Sequence, residues 1–247
     1  MSSTGTEWSP PPANPLQGVP SHIVDLLARL HDESLRQEGA LTRDDFQKAT
    51  MDEVMRDKFI ALDRDKAEFI YQLCRATGAE TIVEAGTSFG VSTIYLALAA
   101  SANASRTGRR ARVVATEHEP TKAARARGYW AECGGSVSDV IDLREGDLRE
   151  TLKTDLDNVD LLLLDNYPNS QVRALISPVW TPMALPTLKV VEPKMRHGAL
   201  VIVDNTIGAA RGYKDMLEYL RNPDSGYINM TLPFSKGLEM SVYLPRR

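Results

Sequence analysis

Two aspartates that follow apolar runs are the residues of this sequence best suited to chemistry. Asp165 follows the run DLLLL, and Asp204 closes the run ALVIV and is followed by Asn205. If the two runs form neighbouring strands about 5 Å apart, the two carboxylates and the amide carbonyl converge on one point. Such oxygens suit a hard divalent cation such as Mg²⁺, which keeps waters that a substrate can displace. The alternative is a pair of turn-forming residues at two strand ends.

A second segment with chemical potential is Thr81–Ser92, TIVEAGTSFGVS. It contains an apolar run, the acid Glu84, and two glycines four residues apart, Gly86 and Gly90, and good helix formers follow from Val91. The segment therefore predicts a strand, a sharp turn and a helix N-terminus, where glycine admits a ligand closely and free N–H groups attract anions. Its spacing differs from the glycine motifs of dinucleotide binders and phosphate loops. A tight turn without a ligand is the alternative.

Two more acids are expected at strand ends. Glu117 closes the run RVVATE, where it could accept both hydroxyls of a ribose, or stabilise the first turn of a helix that starts at Pro120. Asp147 follows Gly146, where it could accept from an adenine amino group or cap a helix that starts at Leu148. The sequence alone leaves both pairs of alternatives open.

The pattern around these residues alternates between strands and helices. The predicted strands are 81–85, 112–116, 140–143, 160–164 and 199–203, and the predicted helices are 91–104, 120–133, 147–154, 170–195 and 209–221. Two later runs, Tyr227–Leu232 and Leu238–Leu244, predict an antiparallel hairpin. We therefore predict an α/β fold with a doubly wound, Rossmann-like, mostly parallel seven-stranded sheet. Ligands bind such sheets at the carboxyl ends of the strands, where the strand order reverses.

The region before the glycine segment has helical periodicity. It predicts one helix from Pro20 to Gly39 with Ser21 as N-cap, a second from near Thr42, and a third over 65–77. We expect these helices to cover the ligand site. The predicted organisation is a flexible tail over 1–19 and a single domain over 20–247, composed of a helical cap over 20–78 and a core over 79–247.

Composition limits the classes of partner. The net charge of −4 argues against a nucleic-acid surface, and no apolar run approaches the ~20 residues of a membrane span. The N-terminus lacks the features of a signal peptide. Cys74 and Cys133, the only cysteines, indicate buried thiols in a reducing compartment. We expect a cytoplasmic protein with a small-molecule substrate, and a homodimer through the N-terminal helices is one oligomeric state open to it.

Taken in order, these segments resemble a known family. The order is E-A-G-T-S-F-G-V-S, T-E-H-E-P, E-G-D-L, L-L-L-L-D-N-Y, V-I-V-D-N-T and G-L-E-M-S-V-Y-L. It is similar to the cation-dependent, class I S-adenosylmethionine-dependent O-methyltransferases, the group that contains catechol and caffeoyl-CoA O-methyltransferases. The resemblance spans about Asp65 to Leu244. The glycine turn is common to S-adenosylmethionine enzymes, whereas the D…D-N pair is much more specific to the metal-using group.

The resemblance implies methyl transfer from S-adenosylmethionine to a hydroxyl of a small, aromatic acceptor, assisted by Mg²⁺, Mn²⁺ or Ca²⁺. By position, Ser92 would bind the methionine carboxylate, Glu117 the ribose, and His118 would flank the adenine. The implied cofactor-binding residues are Glu84, Gly86, Thr87, Ser88, Gly90, Ser92, Glu117, His118, Gly146, Asp147, Leu148, Asp165 and Tyr167. The implied metal ligands are Asp165, Asp204 and Asn205, and the implied catalytic residues are Asp165 and Tyr167.

Two departures from the family concern the acceptor. The family's lysine base, three residues after the first metal aspartate, is replaced by Pro168. The segment that follows, 169–183, is longer than in the family and contains Trp180, which suggests either a substrate wall or a surface insertion. Without the lysine, we expect efficient methylation only of acceptors that ionise easily, such as those with two adjacent oxygens.

Three other functions remain open at this stage. A metal-independent methyltransferase of the same fold would use Asp165 and Asp204 only for positioning. A nucleotide-dependent oxidoreductase is disfavoured by the missing G-x-G-x-x-G. A cofactor-binding regulator without catalysis is suggested by Pro168 alone.

Overall fold

The computed structural model describes residues 11–42, 56–165 and 183–246. Helix α1 spans Ser21–Gly39 and helix α2 spans Arg64–Thr77. The N-cap of α1 is Pro20, whose carbonyl accepts from the backbone N–H groups of Ile23 and Val24 at 3.0 and 3.2 Å. The prediction of Ser21 as N-cap is therefore wrong, because the first helical hydrogen bonds already end on the proline. The helix predicted from near Thr42 falls largely on 43–55, outside the described residues.

Strands and helices alternate from residue 81 onward. The elements are β1 (Thr81–Ala85), α3 (Val91–Thr107), β2 (Arg112–Glu117), α4 (Pro120–Cys133), α5 (Gly135–Ser138), β3 (Ile141–Glu145), α6 (Leu148–Thr151), β4 (Val159–Leu164), α7 (Ala184–Val191), a 3₁₀ turn (Glu192–Lys194), β5 (Met195–Asp204), α8 (Lys214–Leu220), β6 (Tyr227–Leu232) and β7 (Leu238–Tyr243).

The described strands form one seven-stranded sheet in the order β3-β2-β1-β4-β5-β7-β6. The first five strands along the chain are parallel, while β7 is antiparallel to both β5 and β6. This arrangement confirms the predicted Rossmann-like fold with its C-terminal hairpin. The chain runs outward from β1 to β3 and then returns to β4 on the other side of β1. The strand order therefore reverses between β1 and β4, where a ligand crevice is expected.

The central strands are buried on both faces, as expected for a parallel sheet covered by helices. In β1, Ile82 packs in the apolar cluster that contains residues of α1, α2 and α3, while Val83 packs in the cluster that contains residues of α7 and α8. Both cysteines are buried free thiols, as predicted. No helix in the described ranges is long and apolar enough to cross a membrane.

Several predicted boundaries differ from the structure. Strand β5 begins at Met195, not at 199. Met195 pairs with Val159 and Leu200 pairs with Leu161, so residues 196–199 form an irregularity in β5 that includes a positive φ of 79° at Gly198. Of the helix predicted over 170–195, the described part contains only α7 and the 3₁₀ turn. The helices predicted over 147–154 and 209–221 are shorter, and turns precede α8.

Candidate functional site

A cavity of about 570 Å³ opens at the carboxyl ends of the central strands. Its walls come from the glycine turn after β1, the ends of β2, β4 and β5, and the loop 56–62 that leads into α2. The predicted site residues that line it are Gly86, Thr87, Ser88, Ser92, Glu117, His118, Gly146, Asp147, Leu148, Asp165, Asp204 and Asn205. The structure thus brings the sequence-predicted residues from five separate segments into one space.

The glycine turn has the backbone conformation that glycine favours. Gly86 has a φ of 100° and Gly90 a φ of 76°, and Ser88 between them also has a positive φ, of 50°. A Cβ atom at Gly90 would lie 2.5 Å from Nε1 of Trp130, which donates a hydrogen bond of 3.0 Å to the Gly90 carbonyl. Gly90 is not among the described residues that line the cavity, and its lack of a side chain makes room for Trp130 of helix α4.

Glu84 lies behind the turn and is fully buried. Its carboxylate accepts hydrogen bonds from the hydroxyls of Thr87 at 2.8 Å, Ser92 at 2.6 Å and Thr93 at 2.5 Å. Burial raises the pKa of Glu84, and the three hydroxyl donors act against that rise. Glu84 is therefore the residue that fixes the turn and the first residues of α3 in place, while Thr87 and Ser92 face the cavity.

Glu117, at the end of β2, also holds the glycine turn. Its Oε2 accepts from the backbone N–H of Ser88 at 2.7 Å, and its Oε1 accepts from the N–H groups of His118 and Glu119 at 2.8 Å each. A carboxylate has about four lone-pair positions and three of them are used here, so one position on Oε2 remains for a ribose hydroxyl. The arrangement is compatible with the predicted ribose contact and adds a structural role.

Asp147 serves as the N-cap of α6. Its carboxylate accepts from the backbone N–H of Arg149 at 2.9 Å and from the guanidinium of the same residue at 2.6 Å. The side-chain and backbone hydrogen bonds from Arg149 lower the pKa of Asp147 to about 2. The capping role that the sequence left open is therefore present, and Asp147 and Arg149 both line the cavity beside exposed His118.

Asp165 and Asp204 line the cavity on the side away from Glu117, where strands β4 and β5 end. Leu164 pairs with Val203, so Asp165 and Asp204 follow at the same edge of the sheet. Asn205 donates from Nδ2 to Oδ2 of Asp204 at 2.6 Å. Burial, and next the charge of Asp204, raise the pKa of Asp165 well above its usual range. Burial also raises the pKa of Asp204, to about 6, although a nearby lysine opposes the rise.

That lysine is Lys66, in the first turn of α2. It is fully buried, and its Nζ lies 2.7 Å from Oδ1 of Asp204 and 2.9 Å from Oδ2 of Asp63. Burial lowers the pKa of Lys66, but the two carboxylates outweigh burial and raise it. Sequence analysis missed this residue. The available signal was that Lys66 falls on the buried stripe of α2 with Ile70 and Cys74, where an apolar side chain is expected.

The oxygens at this end fit a hard divalent cation. Asp165 and Asp204 supply carboxylates that line the cavity, and Oδ1 of Asn205 is buried without a hydrogen-bond partner in the described part of the chain. Lys66 lies behind Asp204 and is not one of the described cavity-lining residues. No group of three His, Cys, Asp or Glu side chains in the described ranges could hold a metal. A cation here would therefore need the Asn205 oxygen and oxygens from water or the acceptor.

Some sequence-predicted residues are not part of this description. Tyr167, Pro168 and Trp180 fall on 166–182, outside the described residues. Other residues of the cavity wall were not predicted, because they lie outside the quoted motifs or were given no ligand role within them. The unpredicted lining residues are Arg56, Lys58, Ile60, Ala61, Leu62, Phe89, Val91, Thr116, Glu119, Lys122, Arg149 and Met183.

Solved structures with the same architecture include several methyltransferases. Cofactor-bound Rv0187 from MTB is 22% identical, with 94% of this chain and 93% of that chain covered and a TM-score of 0.60. An O-methyltransferase from Bacillus cereus in complex with SAH is 19% identical, covers 92% and 93%, and has a TM-score of 0.57. TomG from Streptomyces achromogenes, an O-methyltransferase of tomaymycin synthesis in complex with SAM, is 22% identical, covers 88% and 98%, and has a TM-score of 0.57.

At these identities the structural similarity establishes the fold. A comparison with curated proteins finds no match. The profile of the methyltransferase domain matches residues 83–206, half of the chain, from the end of β1 through the residue after Asn205. That range contains the glycine turn, Glu117 and both aspartates. The chain belongs to the methyltransferase domain family.

Proposed function

We propose that this protein is an S-adenosylmethionine-dependent O-methyltransferase that methylates a hydroxyl of a small, aromatic acceptor with the help of a divalent cation. The observation that carries the proposal is the meeting, in one cavity, of the glycine turn with Asp165, Asp204 and Asn205. The family assignment and the cofactor-bound neighbours support it. We also propose that the protein acts in the cytoplasm, without a nucleic-acid partner.

The cofactor is proposed to lie across the ends of β1 and β2. The backbone N–H groups at the start of α3, that of Ser92 included, suit the carboxylate of its methionine part, since the Ser92 hydroxyl hydrogen is donated to Glu84. Glu117 suits the ribose, since its Oε2 keeps one lone pair that can accept from a ribose hydroxyl. His118 and the segment 146–148 border the same region and would contact the adenine. Glu84 is buried behind the turn and would act by keeping Ser92 in place.

The acceptor is proposed to lie at the Asp165–Asp204 end. The reaction is an in-line displacement, in which an acceptor oxygen attacks the sulfonium methyl and the sulfur leaves as a thioether. A divalent cation held by Asp165, Asp204 and Asn205 would supply the Lewis acidity that keeps the acceptor hydroxyl ionised. The chain's own contribution is alignment, which can supply a large part of the rate. Because Pro168 replaces the family's lysine, we propose an acceptor with two adjacent oxygens or an equally acidic hydroxyl.

The ion pair between Lys66 and Asp204 favours a second candidate. In that candidate the same methyl transfer proceeds without a metal, and Asp165 and Asp204 only position the acceptor. Turnover of a catechol in excess chelator separates the two candidates. The metal-assisted proposal expects turnover to stop and to return with Mg²⁺ or Mn²⁺, whereas full activity in chelator excludes it.

The cofactor assignment is tested by calorimetric titration of S-adenosylhomocysteine. Gly86→Val should abolish binding, because its side chain would block the approach of the ligand to the backbone. Gly108→Val is the matched control, since Gly108 also has a positive φ, of 73°, but ends α3 away from the cavity. Wild-type affinity in Gly86→Val, or equal loss in both variants, would contradict the assignment.

A further inference from the structure

We propose that Lys66 is a resident counter-ion of the acceptor end: it balances Asp204 when no divalent cation is bound, and it lowers the affinity of the site for such a cation. The proposal rests on the proposed function, because it assigns the divalent cation to the same end of the cavity. It adds Lys66, a residue of the helical cap, to a site for which sequence analysis predicted only residues at strand ends.

The burial of Lys66 is the first observation that supports the counter-ion role. Its side chain is fully buried and its ammonium lies within 3 Å of one oxygen each of Asp63 and Asp204. A charge in such a place is stable only when it is paired, and removing one partner leaves the other uncompensated. Lys66 and Asp204 therefore depend on each other in the protein as it stands, before any cation binds.

The position of Lys66 relative to the cavity is the second observation that supports the counter-ion role. Asp165, Asp204 and Asn205 line the cavity, whereas Lys66 is absent from the described residues that do. Lys66 therefore contacts Asp204 from behind and is not placed to accept a proton from an acceptor. Oδ1 of Asp204 forms an ion pair with Lys66, and Oδ2 accepts one hydrogen bond from Asn205, so both oxygens keep lone pairs for a cation. Lys66 is thus a positioning and charge-balancing residue and does not displace a cation from the cavity.

The local charge balance gives the direction of the effect. Near this end, Asp63, Asp165 and Asp204 supply three carboxyl groups, and the ammonium of Lys66 is shared between Asp63 and Asp204. Half-buried Lys236 adds a more distant positive charge that acts on Asp63 and Asp204. In a buried site charges interact strongly, so removing the Lys66 charge should raise the affinity for a divalent cation. Removing the Asp63 charge should lower it.

The experiment measures Mn²⁺ affinity by titration with electron paramagnetic resonance, in the presence of S-adenosylhomocysteine. The variants are Lys66→Met, which removes the charge, Lys66→Arg, which keeps it, and Asp63→Asn, which leaves Lys66 in place. We expect Lys66→Met to bind Mn²⁺ about tenfold or more tightly than wild type, and Asp63→Asn to bind it more weakly. Lys66→Arg should stay close to wild type. Addition of Mn²⁺ should raise the melting temperature of Lys66→Met more than that of wild type.

The outcomes separate this proposal from the proposed function. Weaker or unchanged Mn²⁺ binding in Lys66→Met would overturn the counter-ion role, because loss of orientation would then outweigh charge. If Lys66→Met does not fold, tighter or unchanged binding in Asp63→Asn overturns the role, and weaker binding supports it. If wild type binds no Mn²⁺ but Lys66→Met does, the counter-ion role holds and metal assistance in the native protein fails. If wild type binds no S-adenosylhomocysteine, the proposed function fails whatever the order of Mn²⁺ affinities.

Discussion

The two ends of the cavity differ in how completely their polar groups are satisfied. At the cofactor end, Glu84 receives three hydroxyl hydrogen bonds and Glu117 receives three from backbone N–H groups. At the acceptor end, Oδ1 of Asn205 and Oγ1 of Thr206 are buried without a partner within the described residues. Burial also raises the pKa of Asp165 and Asp204 there.

This difference separates a preorganised end from one that lacks its ligands. A buried polar group without a partner costs about 1–3 kcal/mol, so natural proteins keep few of them. The cofactor end can hold its shape with residues of the chain alone. The acceptor end has a surplus of buried oxygen and negative charge, so a cation or a hydrogen-bonding acceptor would stabilise it. The predictions below test whether the two ends respond in opposite ways.

The largest effect is expected from Glu84→Leu. The substitution leaves three buried hydroxyls without their acceptor, at about 1–3 kcal/mol each, and frees the glycine turn. We expect the affinity for S-adenosylhomocysteine to fall at least ~100-fold and the melting temperature to drop. Calorimetry and thermal denaturation measure both, with Glu145→Leu at an exposed strand end as control. Unchanged affinity would mean that the network does not preorganise the cofactor end.

The pH dependence of stability is expected to give the next largest effect. His31 is buried beside Tyr95, and burial lowers its pKa to about 4 from an ordinary value of 6.5. The unfolded chain therefore binds more protons between these values, and stability is lost as pH falls from 6.5 to 4. Two to three pKa units correspond to about 3 kcal/mol. Asp204, with its pKa raised to about 6, acts in the opposite direction: its contribution is lost as pH rises through 6.

Urea denaturation of wild type and His31→Leu between pH 4 and 7 separates the two contributions. Wild type should lose about 3 kcal/mol more than His31→Leu on acidification. The pH dependence of the stability of His31→Leu should then show the contribution of Asp204 more clearly. The stability of this variant should decrease as pH rises from 4 to 6. Parallel curves for the two proteins would show that His31 is not the residue that titrates.

Asp165→Asn should change stability in the direction opposite to Glu84→Leu. Burial and the charge of Asp204 disfavour the ionised form of Asp165, and the amide removes that charge at nearly constant volume. We expect the free energy of unfolding at pH 7 to rise by about 2 kcal/mol while methyl transfer is lost. Asp157→Asn, an exposed aspartate before the other end of β4, is the control. A less stable Asp165→Asn protein would remove the contrast between the two ends.

The smallest effect is expected from Glu117→Gln. The variant keeps one carbonyl oxygen for the backbone N–H groups of the turn but loses the charge that strengthens these bonds and a ribose contact. We expect the affinity for S-adenosylhomocysteine to fall about tenfold, equivalent to ~1.4 kcal/mol. Stability should fall less than in Glu84→Leu, because the single amide oxygen can serve either Ser88 or the His118 and Glu119 N–H groups. If the affinity falls as much as in Glu84→Leu, Glu117 of β2, and not Glu84 of β1, is the residue that organises the glycine turn.

Sequence reasoning reached the sheet and the strand ends because both follow from local patterns. The apolar runs gave the strands, and the acids that closed them lay at one edge once the sheet formed. The start of β5 was missed because Arg196 and His197 lie in the irregularity between the Val159–Met195 and Leu161–Leu200 pairs and have no strand-like pattern. The packing of Trp130 against Gly90 was not predicted because Trp130 lies in another helix. Lys66 was missed because its partner Asp204 comes from a distant part of the chain.

The packing of Trp130 against Gly90 also gives the protein a built-in optical probe. Its indole N–H donates to the backbone carbonyl at the base of the glycine turn, so its emission depends on the polarity and geometry of that turn. Trp8 and Trp180 are the only other tryptophans of the sequence. Replacing both by phenylalanine would leave a single fluorophore that reports on ligand occupancy without any attached dye. Rapid-mixing fluorescence could then follow cofactor association in real time, independently of which acceptor the enzyme uses.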